Sequence, residues 1–291
     1  MSGRITLLGT GLMGEPMGLR LLDAGFDLCV WNRSPHKTLP LQQRGARVAQ
    51  TAAQAVAGAD VVLTMLANGP AVNEVLTVGV AQVMPAHALF IDMSSIPPDM
   101  ARQHAALLGQ RGISALDAPV SGGVVGAAAG TLAIMAGGAP EAFERALPVF
   151  AALGRATRVG PVGAGALAKL ANQMIVGITI GAVAEALLLV EAGGADPAAV
   201  RDAIRGGFAE SRVLELHGAR MLSRNFAPGA HATTQLKDLA SALRTAEDEG
   251  LELPLTRGVH ALYSRFVETG GASLDHSALL LALERLNARE R

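Results

Sequence analysis

Aromatic residues and cysteine are scarce in this sequence. Only 3% of its 291 residues are aromatic, so a buried core has to be built from Ala, Leu, Val, Ile and Met. The alternation of aromatic and basic residues that stacks on nucleic-acid bases is absent. The single cysteine, Cys29, cannot form an internal disulfide, and the apolar stretch "DLCVW" around it predicts a buried thiol.

Charge is scarce as well. Charged residues make up 17% of the chain and hydrophobic ones 50%, which is typical of a well-buried globular protein. The formal net charge of −1 gives no electrostatic reason to expect a nucleic-acid or membrane partner. The N-terminus enters a strand-like segment without the pattern of a signal peptide, so we expect a cytoplasmic protein.

Metal-ligand spacing is also missing. No pair of histidines has a spacing such as H-E-x-x-H, and we therefore predict no metal site. The seven histidines are His36, His87, His104, His217, His231, His260 and His276.

The first half of the chain alternates short apolar runs with segments of helical spacing. This alternation predicts parallel strands in a doubly wound α/β sheet. The predicted strands are 4–9, 27–31, 60–66, 88–93 and 113–120, with 131–138 and 155–160 as possible additions. The predicted helices between them include 12–25, 70–77, 97–111 and about 140–153.

The second half begins with a 29-residue run, "ALAKLANQMIVGITIGAVAEALLLVEAGG", that has no proline and almost no charge. A surface helix has one polar face, whereas this helix is apolar nearly all round, so we expect it to be buried at a domain junction or subunit interface. A membrane helix is the alternative, but Lys169, Asn172, Gln173 and Glu185 interrupt the run and no basic cluster follows. Only helical patterns follow residue 196.

Three glycines in "LLGTGLMGEPM" lie between the first strand and the first helix. Gly9 permits a tight turn, Gly11 lets a pyrophosphate approach the backbone, and Gly14 lets the helix lie close to the strand. The helix N-terminus offers N–H groups to the phosphates. The sequence therefore predicts a Rossmann dinucleotide-binding domain at 1–162, an interdomain helix at 163–193 and an all-α C-terminal domain at 194–291.

The end of the second strand indicates which dinucleotide binds. A carboxylate there would bind the ribose 2′-hydroxyl of NAD, but the chain has "VWNRSPHK". Arg33 offers a guanidinium fork suited to a 2′-phosphate, beside Asn32, Ser34 and Lys37. We predict NADP as the preferred cofactor, with NAD possible. An ordinary solvated arginine is the structural alternative.

A nicotinamide enzyme also needs a proton donor or acceptor beside the reacting carbon. Lys169 fits because it interrupts an apolar helix, where a charged side chain is costly without a partner or a purpose. Asn172 lies three residues later and hence on the same helical face.

The motifs "LLGTGLMGEPM", "WNRS", "DMSSI", "DAPVSGG", "GAGALAKLANQ" and "QLKDL" occur in the order found in the β-hydroxyacid dehydrogenase family, which the whole chain resembles. Thr10 replaces the aliphatic residue of many members. That family includes 3-hydroxyisobutyrate dehydrogenases, tartronate semialdehyde reductases and glyoxylate/succinic semialdehyde reductases. The resemblance implies NAD(P)-dependent hydride transfer between a short 3-hydroxy acid and its semialdehyde or keto form.

The resemblance also implies roles for single residues. Lys169 would be the general acid/base, for which burial and nearby positive charge must lower its pKa from the ordinary value of about 10.4. Asn172 would hold the substrate or the lysine, and Lys237 would supply positive potential. The structural alternatives are that Asn172 satisfies a buried backbone group and that Lys237 is a solvated residue paired with Asp238.

The binding positions implied by the resemblance fall into two sets. Ser121 and the amides of Gly122 and Gly123 would cradle the substrate carboxylate, unless Ser121 is only a helix N-cap. The cofactor positions are Gly9, Gly11, Leu12, Met13, Gly14, Asn32, Arg33, Ser34, Lys37, Met65, Leu66, Ser95 and Lys237.

Other functions compete with this one. Imine reductases share the architecture but resemble the family with the lysine replaced, and phosphogluconate dehydrogenases need a much larger C-terminal domain. A non-catalytic cofactor-binding scaffold would not need Ser121, Lys169, Asn172 and Lys237 together. Phe208, Ser211 and Arg212 are expected near the pocket but do not identify the substrate. The apolar helix predicts a homodimer or homotetramer.

Overall fold

The computed structural model describes residues 3–289 and divides into two units, Met1–Lys169 and Leu170–Arg291. The strands of the first unit are β1 Arg4–Leu8, β2 Asp27–Trp31, β3 Arg47–Val48, β4 Val61–Thr64, β5 Leu89–Asp92, β6 Ser114–Asp117, β7 Val120–Ser121, β8 Leu132–Gly137 and β9 Gly154–Gly160. The helices between them are α1 Gly14–Asp23, α2 Leu39–Gln43, α3 Ala52–Val56, α4 Gly69–Val75, α5 Ala81–Val83, α6 Pro98–Gly109, α7 Gly123–Ala129 and α8 Pro140–Leu153.

These strands form one sheet in the order β3-β2-β1-β4-β5-β6-β8-β7, with β9 paired to β8. Strands β1 to β6 are parallel, and the chain crosses from β3 at one edge to β4 on the other side of β1. In such sheets a ligand binds outside the carboxyl ends of the strands, where the order reverses. The crevice between the ends of β1 and β4 is that position.

The carboxyl ends of the parallel strands are level across the sheet. Leu8 is in register with Trp31 on one side and with Thr64 on the other. Thr64 is in register with Asp92, and Asp92 with Asp117. The turns and loops that leave these five positions are therefore neighbours along one edge.

The predicted strand 113–120 is wrong as one element. Strand β6 ends at Asp117, and Val120 and Ser121 form the separate strand β7, which pairs antiparallel with β8. Pro119 lies between the two strands and has no N–H to donate to a ladder. The sheet is therefore parallel through β6 and mixed beyond it, since β8 also pairs antiparallel with β6.

Both faces of the sheet are covered by apolar side chains. Ile5 and Leu7 point into one core, whereas Leu8 and Cys29 belong to the core on the opposite face. This is the arrangement expected for parallel strands with helices on both sides. Cys29 is buried and free, as predicted, and burial raises the pKa of its thiol, which disfavours reactivity.

The long helix α9 runs from Ala164 to Ala192. It is long and apolar enough to cross a membrane by length and composition alone. Ile180 and Ala184 are fully buried in the core of the helical unit, so this part of α9 packs as a core helix. It is not buried all round, however: Ile175 and Leu189 remain 67% and 73% exposed.

Within residues 170–289 the regular elements after α9 are helical, and the predicted α/β unit followed by helices is confirmed. The core of this unit contains Tyr263, Phe266 and Leu279. The helices are α10 Pro197–Ile204, α11 Arg212–Leu222, α12 Ala232–Asp248, α13 Pro254–Phe266 and α14 Leu279–Leu286.

Candidate active site

The glycine turn between β1 and α1 is shaped by contacts with its own backbone. A Cβ on Gly14 would overlap the carbonyl oxygen of Gly9, and a Cβ on Gly9, whose φ is +103°, would overlap the carbonyl oxygen of Met65. A Cβ on Gly11 would meet no atom of residues 3–289 within 4 Å. The protein's own packing therefore requires the first and third glycines, while Gly11 faces space that a pyrophosphate could occupy.

The segment after β2 is tied to this turn by two side chains. The amide of Asn32 accepts a hydrogen bond from the N–H of Thr10 at 3.1 Å and donates to the carbonyl of Ser34 at 3.0 Å. The hydroxyl of Thr10 donates to the carbonyl of Lys37 at 2.9 Å. Asn32 thus holds the loop in place, and the side chains of Arg33 and Lys37 are exposed beside the turn.

A buried carboxylate organises the loops after β4 and β5. Oδ1 of Asp92 accepts hydrogen bonds from the hydroxyl of Thr64 at 2.7 Å and from the N–H of Ser94 at 2.9 Å. The hydroxyl of Ser94 accepts from the N–H of Leu66 at 2.9 Å. Burial raises the pKa of Asp92. The predicted cofactor positions Leu66 and Ser95 therefore lie on loops linked through one carboxylate.

Ser121 ends β7 and precedes a pair of glycines with positive φ. The φ angles are +136° for Gly122 and +62° for Gly123. The N-cap of α7 is Gly122, and within the part of the chain that the structure describes no side chain caps that helix. The alternative that Ser121 serves only as an N-cap is therefore wrong.

Lys169 lies in the second turn of α9 and is half-buried, next to buried Leu170. The start of this helix is held by Asp117 at the end of β6. Its carboxylate accepts hydrogen bonds from the N–H groups of Gly163 at 2.8 Å and Ala166 at 2.7 Å. A continuous hydrogen-bonded connection therefore links the edge of the sheet to the turn before Lys169.

The helical unit joins Asn172 and Lys237 through two intervening side chains. Asn172 donates to Oε1 of Gln173 at 2.9 Å, and Gln173 donates to Oδ2 of Asp238 at 2.8 Å. Nζ of Lys237 lies 3.2 Å from Oδ1 of Asp238, whose side chain is 4% exposed. The Lys237–Asp238 pair of the structural alternative is therefore present: the lysine side chain is 36% exposed, but the carboxylate is buried.

Two family models cover the chain. Residues 4–163 match the NAD binding domain of 6-phosphogluconate dehydrogenase, and residues 163–283 match NAD-binding of NADP-dependent 3-hydroxyisobutyrate dehydrogenase. The 2-hydroxy-3-oxopropionate reductase of Escherichia coli K12 is 43% identical over 97% of each chain. The chain belongs to the β-hydroxyacid dehydrogenase family. It is an NAD(P)-dependent oxidoreductase that acts on a CH–OH group, which confirms the predicted family and cofactor class.

Two further relatives of this β-hydroxyacid dehydrogenase extend the comparison. The 3-hydroxyisobutyrate dehydrogenase of Pseudomonas aeruginosa is 36% identical and covers 94% of this chain and 95% of its own. The structure of Mycobacterium tuberculosis 3-hydroxyisobutyrate dehydrogenase with L-serine has a TM-score of 0.90 and 34% identity, covering 97% of this chain and 99% of that one.

Three carboxylates of this dehydrogenase were not singled out from the sequence as site residues: Asp92, Asp117 and Asp238. A signal for the first two was present, since each ends an apolar strand, where a charge is costly unless it is hydrogen-bonded. Asp238 gave no comparable signal, because Lys237 beside it suggested an ordinary surface pair.

The loop before α11 carries the residues expected near the substrate pocket. The hydroxyl of Ser211 caps α11 by accepting from the N–H of Leu214 at 3.0 Å. Arg212 pairs with Glu215 at 2.6 Å and is 72% exposed. Phe208 is fully exposed. Ser211 and Arg212 thus have structural partners at a helix end.

The fold brings His217 next to the adjacent residues Asp275 and His276. Ligand atoms of His217, Asp275 and His276 lie within 4.8 Å of one another. Asp275 accepts hydrogen bonds from the N–H of Ser277 at 3.0 Å and from its hydroxyl at 2.6 Å, and pairs with Arg220 at 3.1 Å. The guanidinium disfavours a cation at this position, and these contacts fit a structural role for Asp275.

Lysine is used very selectively in this chain. Of the 24 Lys and Arg residues, three are lysines: Lys37, Lys169 and Lys237. Arginine stays charged in proteins, whereas a lysine amine can exchange its proton. All three positions coincide with predicted cofactor or substrate positions.

Proposed function

We propose that this enzyme transfers a hydride between NADP(H) and a short 3-hydroxy acid or its semialdehyde or keto form, with Lys169 as the general acid/base. The observation that carries the proposal is the position of Lys169: its amine is half-buried on an apolar helix. Nearly every other cationic side chain of the protein is an arginine. The bound nicotinamide supplies or accepts the hydride. In reduction the ammonium of Lys169 donates a proton to the carbonyl oxygen, and in oxidation its neutral amine accepts the hydroxyl proton.

The other site residues bind and orient the substrate in this proposal. Ser121 and the amides of Gly122 and Gly123 bind its carboxylate, which the positive φ angles support by turning successive N–H groups into one concavity. Asn172 and Lys237 contribute through the linked side chains of the helical unit.

The wild-type enzyme tests this proposal. Short 3-hydroxy acids and their aldehydes are screened with both cofactors, and the absorbance of the reduced nicotinamide is followed. We expect turnover with at least one such pair. Binding of NADPH without turnover of any of them would favour the non-catalytic scaffold instead.

A finer candidate is reduction of 2-hydroxy-3-oxopropionate. The observation that favours it is the 43% identity to the reductase of that name, against 36% to the 3-hydroxyisobutyrate dehydrogenase. In this reaction the aldehyde carbon gains the hydride and its oxygen gains the proton. The screen separates the two candidates by their kcat/KM values.

The cofactor preference is proposed to depend on Arg33, which is exposed beside the glycine turn. Arg33→Ala should raise the KM for NADPH by about 10–100-fold, because a hydrogen-bonded charge pair contributes roughly 1.5–3 kcal/mol. The KM for NADH should change little. Arg44→Ala, which removes an exposed arginine paired with Asp23, is the control. A wild-type enzyme that prefers NADH would contradict this reading.

We also propose a cytoplasmic homo-oligomer of at least two copies, joined along α9. The exposed side of this helix is largely apolar, with Leu167, Ala171, Ile175, Ala182 and Leu189 at spacings of one or two helical turns, and it also carries the exposed Glu185. A second copy of the same surface is its natural cover, since two-fold interfaces pair identical surfaces.

Light scattering at micromolar concentration should therefore give at least twice the mass of one chain. Ile175→Glu should shift the protein towards the monomer, because it places a charge on the exposed side of α9. Leu147→Glu is the matched control, since Leu147 is exposed on α8. A stable wild-type monomer would contradict the assembly and leave the chemistry untouched.

A further inference from the structure

The carboxylate of Asp117 spans the start of α9. Asp117 ends β6 and is 4% exposed. Its Oδ1 accepts a hydrogen bond from the N–H of Gly163 at 2.8 Å, and its Oδ2 accepts one from the N–H of Ala166 at 2.7 Å. One side chain thus binds both the turn before the helix and its first turn.

Two glycines allow the helix to begin directly on the sheet. A Cβ on Gly165 would overlap the carbonyl oxygens of Asp117 and Met135. A Cβ on Gly137 in β8 would lie 2.6 Å from Oδ1 of Asp117 and 2.7 Å from the nitrogen of Gly165. The backbone atoms of two paired strands cannot move aside easily. The start of α9 therefore packs directly against β6 and β8, and Asp117 makes the polar contact between them.

Two proposed site residues follow shortly after the residues of this contact. Lys169 follows Ala166 by three residues, which is about one helical turn. Ser121 follows Asp117 by four residues, through β7. Asp117 therefore connects the segment that carries Lys169, the proposed proton donor, with the segment that carries Ser121, the proposed carboxylate-binding residue.

We propose that Asp117 is a positioning residue that fixes Lys169 relative to the Ser121 segment, and that only its ionised form does so. This inference rests on the proposed roles of Lys169 and Ser121. The ionised carboxylate offers acceptors to both N–H groups and a negative charge to the N-terminal end of a helix dipole. A proton on either oxygen removes that charge and weakens one of the two contacts.

Burial raises the pKa of Asp117 to about 6, although the N–H groups of Gly163 and Ala166 act to lower it. Other groups face it from β5 and α6: Asp92 raises this pKa further, and His104 lines the same small cavity. Burial lowers the pKa of His104, which favours its neutral form. Arg102 of α6 packs against Gly163, where an added Cβ would lie 2.9 Å from its Nη1. The positioning contact is therefore present above pH 6 and lost as the pH falls through 6.

The contribution of Asp117 to the stability of the fold has the opposite dependence on pH. A carboxyl whose pKa is raised on folding, here from 3.8 to about 6, makes its stabilising contribution below pH 3.8 and loses it as the pH rises through 6. Protonation of Asp117 thus favours the fold while it weakens the contact with α9. A fall in activity near pH 6 would not report unfolding caused by this carboxyl.

The first experiment compares pH profiles of kcat for the wild type, Asp117→Asn and the control Asp248→Asn, an exposed Asp at the end of α12. The wild type and control should lose activity below a midpoint near pH 6. Asp117→Asn should lower kcat by about 10²-fold at pH 7.5, the cost of misplacing a catalytic group by about 1 Å, and should lack the acid limb. An unchanged kcat, or an acid limb that persists in Asp117→Asn, would overturn the proposal.

The second experiment does not depend on activity or on the variant. Hydrogen exchange of the amides in 163–169 is measured in the wild type between pH 5 and pH 7.5 and corrected for the intrinsic rates. Protection of this segment should fall below pH 6, while that of β1 and β4 stays constant. Constant protection of 163–169 would overturn the role of Asp117, whereas absent turnover with the expected protection change would overturn only the proposed function.

Discussion

Lys169→Ala should lower kcat by about 10²–10⁴-fold, the usual contribution of a positioned acid or base. The side chain lies in the second turn of α9 and is not part of the glycine turn at 9–14, so the Kd for NADPH should change little. Turnover is measured with the best substrate of the screen, and the Kd by quenching or transfer of nicotinamide fluorescence. Near-normal turnover would contradict the assigned chemistry.

Lys169→Arg separates proton transfer from charge. Arginine keeps a cation and its donors but does not release a proton in proteins. Its turnover in the oxidative direction should be as low as that of the alanine variant. Substantial activity would mean that Lys169 acts through its charge alone.

Gly14→Ala should lower the stability of the protein whereas Gly11→Ala should not, although the two glycines belong to one motif. A methyl group on Gly14 would overlap the backbone of Gly9, and overpacking of this type costs about 1–3 kcal/mol or more. The melting temperature should fall by roughly 3–10 °C. A methyl group on Gly11 meets open space, so Gly11→Ala should melt like the wild type.

In cofactor binding the Gly11→Ala variant should be the impaired one of the two. The methyl group of Gly11→Ala occupies the space where the pyrophosphate would approach the backbone, so the Kd for NADPH and NADH should rise at least tenfold in a stable protein. Thermal unfolding and fluorescence titration check the two effects separately. Normal cofactor affinity in Gly11→Ala would place the pyrophosphate elsewhere.

The glycine turn was predictable because its requirements are local. Strand, turn and helix follow one another within about 20 residues, and the structure forms them at Arg4–Leu8 and Gly14–Asp23. Pro119 was a local signal that 113–120 is not one strand, but the antiparallel pairing of the second strand was not predictable from the same kind of pattern. That pairing joins Val120 to Ile134 in β8, a partner that no local window contains.

The roles of the carboxylates of the candidate site were even harder to predict from the sequence, because their partners lie far away along the chain. Asp117 bonds to an amide 49 residues away, and Asp238 bonds to Gln173 at a separation of 65 residues. Sequence reasoning identified residues whose chemistry suggests a role by itself, such as Lys169. It passed over residues whose role arises from the partners that folding supplies.

The distribution of lysine has a practical consequence for anyone handling this enzyme. With side-chain amines at three positions only, any amine-directed reagent, whether a dye, a cross-linker or an activated resin, has few side-chain targets outside the proposed cofactor and substrate positions. Lys37 is the most open of the three, since it is exposed whereas the other two are half-buried. Immobilisation through amines should therefore inactivate the enzyme, and bound NADPH should protect it. Coupling through surface carboxylates avoids those positions.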